Sequence, residues 1–291
     1  MATQLRDLGV LWRPLVATVI GLSVMAALAA ALQLPGLTIL WSFVWLSAGG
    51  ALVVGLFLII RSRRPIAGAG AILAGLAIVV AFLWRTSPSG VVWTLLLLAG
   101  ALLVVIGTSQ DTASPRSWPI LLPRLAVGWA FVDNAVNDMV WVSGGTNGFL
   151  SAATNALKRE PQFLDGGYQP FLQNAVLPRP DTFAGLFLSG ELVFGLMLML
   201  GLFSAIGAIG AMWLSANIIL EKAFMSHGAY IDKTYLVAEL FCLVAAAGFV
   251  YGLDASLARR SPGWLSRWFA GAPSSASERG APIGAASATA G

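Results

Sequence analysis

One cysteine and one histidine are all that this 291-residue chain offers a transition metal. Cys242 and His227 cannot supply the thiolates of an iron–sulfur cluster, a bis-histidine haem or the several ligands usual for zinc. No haem, iron–sulfur cluster, zinc or other metal site is expected. Any redox cofactor must then diffuse in or be held by a partner. A lone cysteine also forms no internal disulfide, so it leaves the redox compartment open.

Charge is the second scarcity. Asp, Glu, Lys and Arg make up 10% of the residues, against about a quarter in soluble domains. The shortage is lopsided, because residues 15–107 contain no Asp, Glu, Lys or His. A soluble globular domain is excluded, and so is a carboxylate or imidazole site within that stretch. The net charge of +4 and isoelectric point near 9.6 do not argue for nucleic acid, since basic residues in a membrane protein record topology.

What is present is apolar: 58% of residues are hydrophobic and the mean hydropathy is +0.82. The runs are continuous rather than alternating in ten-residue pieces, which selects helices over a transmembrane barrel. The expected fold is an all-α integral membrane protein with eight transmembrane helices, arranged as two four-helix halves. The runs lie at 15–34, 36–60, 66–84, 91–107, 120–141, 182–203, 204–224 and 234–251. The first follows Arg6 and Arg13 and resembles a signal peptide, but it exceeds an ordinary signal core and reads as a retained helix.

A polar stretch with Pro115 and Pro119 separates the halves. The chain thus divides into an N-terminal four-helix unit (1–108), a linker (109–118), a second four-helix domain (119–257) and an interfacial, low-complexity tail (258–291). Within the second domain, residues 143–181 are too polar to span and too rich in aromatics for a plain loop. They are expected as amphipathic helices lying on the outer surface as a lid. Threading with the N-terminus inside places eleven of the seventeen basic residues inside, among them Arg61, Arg63, Arg64, Arg259 and Arg260. That bias predicts a multi-pass protein of the cell membrane with both termini cytoplasmic.

The second half embeds Asp133, Asp138, Glu191, Glu221 and Glu239. A carboxylate at the centre of a membrane helix costs about 2.5–3.5 kcal/mol on insertion scales, so several in one bundle point to a site. Glu191 falls near the middle of its run. On the preceding run, Arg124, Gly128, Phe131, Asn134 or Ala135, and Asp138 follow the three-to-four spacing of one helix face. Asp138, Glu191 and Asn134 are the candidate binding residues, lining an outward-facing cavity for a small polar head group. Interhelical hydrogen bonding without a ligand is the competing reading, and the heavier one for Asp133.

Glu239 and His227 are candidates for a proton relay, although His227 in Ser-His-Gly also reads as a simple interfacial residue. Glu221 and Lys222 read as a solvated pair near an interface. Arg124 lies about 21 Å along the axis from Asp138 at 1.5 Å per residue, so the two cannot share one small ligand. It is assigned a separate, structural role.

Three stretches carry a family resemblance. They are Arg124-Leu-Ala-Val-Gly128-Trp-Ala-Phe131, the run from Glu191 through Gly195 and Gly201 to Ser204, and Gly248-Phe-Val-Tyr-Gly252-Leu-Asp254. In order and spacing the second half resembles the DoxX/DoxD family over about residues 119–257. The family commonly shows a Gly and then a Lys late in its first helix, where this chain has Ala135 and Asp138. DoxD members are described as the small membrane subunit of thiosulfate:quinone oxidoreductase. The resemblance implies a quinone-linked membrane oxidoreductase, with quinone as the bound acceptor and with membrane lipid and other protein subunits as partners. A non-catalytic assembly subunit of a larger membrane complex is the alternative. A solute transporter ranks behind both, because the halves show no clear repeat.

Overall fold

The computed structural model describes residues 13–25, 34–83, 89–109, 115–143, 147–158, 168–222 and 227–258. Expectations for linker residues 110–114, for Phe163 and for the tail beyond residue 258 fall outside them. Twelve α-helices run through the described residues, which contain no strand. They are α1 (Arg13–Met25), α2 (Gly36–Ile60), α3 (Pro65–Leu83), α4 (Ser89–Thr108), α5 (Leu121–Asn137) and α6 (Val140–Ser143). Then come α7 (Asn147–Lys158), α8 (Tyr168–Phe171), α9 (Pro180–Leu200), α10 (Ser204–Lys222), α11 (Tyr230–Val244) and α12 (Leu253–Ala258).

Four of these, α2, α3, α9 and α10, are long and apolar enough to cross a bilayer. The chain is a multi-pass membrane protein. Two other runs come out shorter than hydropathy predicts. The helix expected to reach Trp141 stops at Asn137, 17 residues long, as Asp138 leaves helical geometry at φ −85°, ψ 1°. The run expected to reach Tyr251 stops at Val244 after 15 residues, where Ala246 adopts a left-handed backbone at φ 47°. Hydropathy averaged over a run sees neither break: the first falls at the polar pair Asn137-Asp138 inside an otherwise apolar run, the second within apolar sequence.

The central element is α9, with 72% of its apolar window buried against 22% for α2. It opens on Pro180, whose missing N–H costs nothing at a first helical position. It closes on Gly201 at φ 60°, where Leu202 N–H reaches back to the Met197 carbonyl; a left-handed glycine here ends the helix without a Cβ penalty. Against one flank lies α5, antiparallel, with numbers rising on one helix as they fall on the other. Arg124 meets Gly201, and Gly128 meets Gly195 and Met199.

On another flank lies α2, with its N-terminus beside that of α9. The Asp181 carboxylate accepts the Gly36 N–H at 2.5 Å, and the Thr182 hydroxyl donates to the Leu34 carbonyl at 3.0 Å. A carboxylate borrowed from another helix thus caps one of the orphan N–H groups that every helix start leaves. One apolar core runs through both halves, from Leu40, Ala74 and Leu97 to Val132, Leu188 and Leu192.

At the Asp181 end, α7 and the turn after α8 pack over the start of α9. Ala153, Ala156, Leu172 and Val176 form a small apolar cluster there. Phe149 contacts both Trp141 and Phe187, and Phe171 packs edge-on against Phe183. The opposite end of the bundle is the Arg124 end.

Candidate functional site

Glu191 sits halfway along α9 and is 2% exposed. Asn134 of α5 hydrogen-bonds its carboxyl group, and Asp138, one turn further along α5, acts on it electrostatically. The other carboxyl oxygen, Oε2, has no partner. The antiparallel register explains this meeting, since it carries Asn134 to the level of Glu191 just as it carries Gly128 to Gly195. The three residues singled out from sequence therefore converge on one place. Around them the burial falls off: Asn134 and Asp138 are half-buried, while Asn137 is exposed and donates to Asp133 at 3.1 Å. Asp133 belongs to that outer strip, and the break after Asn137 leaves Asp138 at its edge.

Glu239 is buried elsewhere, between α10 and α11, where the Ser215 hydroxyl donates to its Oε1 at 2.8 Å. His227 does not join it. The imidazole is exposed and stacks on Tyr230 at 6.3 Å, and Glu239 lies nine residues further along α11, about 14 Å of helix. Lys222 pairs with Asp232 at 2.8 Å rather than standing as a solvated pair with its neighbour Glu221. Sequence reasoning passed over Ser215 and Asp232. The available signal was a shared spacing: Ser215 and Lys222 are seven residues apart on α10, as Asp232 and Glu239 are on α11, so two polar pairs align on one antiparallel seam.

Arg124 takes the structural role expected of it. Its guanidinium is fully buried and donates to the carbonyls of Ala247, Val250 and Tyr251 at 2.8, 2.7 and 3.2 Å. These carbonyls belong to the turn that follows α11, where helix-end acceptors need a donor. Beside it the Asp254 carboxylate accepts the backbone N–H groups of Phe203 and Ser204 at 2.6 and 2.9 Å, and the Ser204 hydroxyl accepts the Gly248 N–H. Burial pushes the Asp254 carboxyl up to about 6, against the downward pull of the Ser204 and Phe203 hydrogen bonds and the Arg124 charge. At neutral pH it remains ionised and faces Arg124 as its counter-charge. Phe203, Ala246 and Tyr251 all hold φ near +50° around this knot. Left-handed backbone in such residues persists only where surrounding contacts over-determine it.

All residues of the knot except Ala246 and Ala247 come from the three stretches that carry the family resemblance. The sequence model of one family, described as TQO small subunit DoxD, matches residues 118–271. The chain belongs to the DoxD family. The DoxD match takes in α5 and α9 to α12, hence both the Glu191 group and the Arg124 knot, and it begins after α4. The first four helices thus lie outside the DoxD region, and of them α2 packs along its central helix. Comparison with curated proteins and with solved structures gives no match.

Proposed function

We propose that the chain is the membrane subunit of a quinone-linked oxidoreductase complex like thiosulfate:quinone oxidoreductase, with a quinone head group received at Glu191, Asn134 and Asp138. The observation that carries this reading is Glu191 itself: a carboxyl group on the central helix of a DoxD-family bundle, buried, with Oε2 unpartnered beside two polar side chains. A membrane-embedded ionisable group is tolerated when it faces the bundle and serves a ligand or a proton. The residues present fit a quinone. A protonated Glu191 and the Asn134 amide can each donate to a carbonyl oxygen, and Asp138, half-buried, can exchange a proton with water. Quinone supplies the electron-accepting chemistry, and a partner subunit delivers the electrons. The burial gradient from Asn137 inward gives an amphipathic ligand an approach from the side of the bundle.

The test is reconstitution with the redox partner that co-purifies. Glu191→Gln keeps the size and the hydrogen-bonding capacity and is expected to fold, while lowering quinone-linked turnover by on the order of tenfold or more, because the acid is lost. Glu191→Leu should impair folding as well. Unchanged quinone content by mass spectrometry and unchanged turnover in both Glu191→Gln and Asp138→Asn would leave the non-catalytic assembly subunit as the better reading. That alternative draws on the Asn134–Glu191 hydrogen bond, which by itself fixes α5 against α9.

The same reading includes eight spans, with α1, α4, α5 and α11 completing the four long helices, and with both termini cytoplasmic. It puts the Arg124 end inside and the Asp181 end, with its covering α7, outside. Arg61 is exposed at the foot of α2, so Arg61→Cys should react with an impermeant maleimide only in inverted vesicles. Reaction in right-side-out cells would reverse the whole threading.

A further inference from the structure

We propose that Glu239 is a proton-loading site, separate from the Glu191 group and reached from the Lys222–Asp232 end of the seam between α10 and α11. Glu239 is 0% exposed. Its Oε1 accepts the Ser215 hydroxyl at 2.8 Å, while Oε2 has no partner. A buried carboxyl oxygen without a donor is satisfied by taking up a proton or a water molecule. Packing alone would be served by an apolar side chain at this position, and a carboxyl group with one oxygen left open is a poor clasp.

The route follows from the register. Asp232 stands two turns from Glu239 on the same face of α11, about 10 Å along the axis. It pairs with Lys222, whose side chain is 41% exposed. A buried acid whose lysine partner reaches the surface is thus aligned with an acid deeper in the interior. The other polar groups near Glu239 are Ser215 from α10, Tyr235 one turn before it and Cys242 one turn deeper on α11, and Arg124 of α5 beyond Cys242. The step is a simple exchange. One proton from water adds to Oε2 of the carboxylate to give the acid, the same proton leaves to water on release, and no electron moves. Glu191 is not involved, because its neighbours are Asn134 and Asp138.

Dicyclohexylcarbodiimide tests the proposal, since it adds to a protonated carboxyl group in apolar surroundings and leaves a stable acylurea. The full chain in membrane vesicles is treated across a pH series and mapped by peptide mass. The expected result is an adduct on Glu239 whose yield falls several-fold as pH rises. Glu239→Gln, which keeps an acceptor for Ser215, should abolish the adduct, and Glu191→Gln should leave it unchanged. An infrared carboxyl C=O band that grows on acidification and is missing in Glu239→Gln gives the same answer without the reagent. A yield and band that do not vary with pH would mean a permanently neutral packing group and overturn the proposal, as would the absence of both. If Glu239→Gln does not fold, the pH dependence of the mapped wild-type adduct decides. Loss of quinone turnover in Glu191→Gln alongside a normal Glu239 titration separates this site from the proposed quinone site.

Discussion

Arg124→Met is expected to abolish recovery of monodisperse protein in detergent, or to lower its melting temperature by roughly 10 °C or more. The guanidinium is the donor for two buried carbonyls and one part-buried carbonyl in the turn after α11. Each buried acceptor left without a partner costs about 1–3 kcal/mol. The substitution also removes the positive charge that acts on the buried Asp254 carboxylate, which adds to the cost. Set against a total stability of about 5–15 kcal/mol, the loss is decisive. Arg124→Lys should fall between, because a compact ammonium cannot span carbonyls that a planar guanidinium fork reaches together. Size-exclusion profiles and thermal melts of the variants check this, with Arg61→Met as the exposed control. A variant Arg124→Met that folds like wild type and loses only turnover would move Arg124 from the scaffold into the site.

The second large effect is expected from Gly195→Leu. A Cβ placed on Gly195 would stand 2.8 Å from the Gly128 carbonyl oxygen, and one on Gly128 the same distance from the Gly195 carbonyl. Both obstacles are backbone, so α5 and α9 must separate to admit a side chain. Lipid supplies no hydrophobic drive to hold two membrane helices together, and close contact between small residues does that work instead. Overpacking costs about 1–3 kcal/mol, occasionally more. Here it also slides Asn134 away from Glu191 in register, so the melting temperature and quinone binding should fall together. Gly49→Ala is the control, because a Cβ there meets nothing within 4 Å. It should be neutral or slightly stabilising, as alanine is the better helix former. Equal stability of Gly195→Leu and wild type would disprove the tight α5–α9 contact.

Much of the candidate site was legible in the chain before any fold was known. An acidic residue in a run such as that around Glu191 stands out because insertion penalises it. The three-to-four spacing from Arg124 to Asp138 marks one face of a helix. Asn134, Asp138 and Glu191 could thus be named, and so could the separation of Arg124 from them. Ser215 could not, because a serine in an apolar helix usually bonds its own preceding turn, as Ser189 does to the Gly185 carbonyl. Lys222 was matched to its sequence neighbour because its partner Asp232 lies on the next helix.

The amino-acid sequence by itself determined the class of protein, the polarity of its two halves and its family. Composition, run length and a few fixed residues act locally and need no knowledge of neighbours. Tertiary structure alone decided how α5 meets α9, that Asp181 caps α2, and that Glu239 has Ser215 as its donor. It also set the ends of α5 and α11, where backbone turns interrupt runs that averaged hydropathy reads as continuous. The physical reason is that apolar runs fix which segments enter a bilayer, whereas register and partner choice depend on where small residues let backbones approach and where buried polar atoms find a donor.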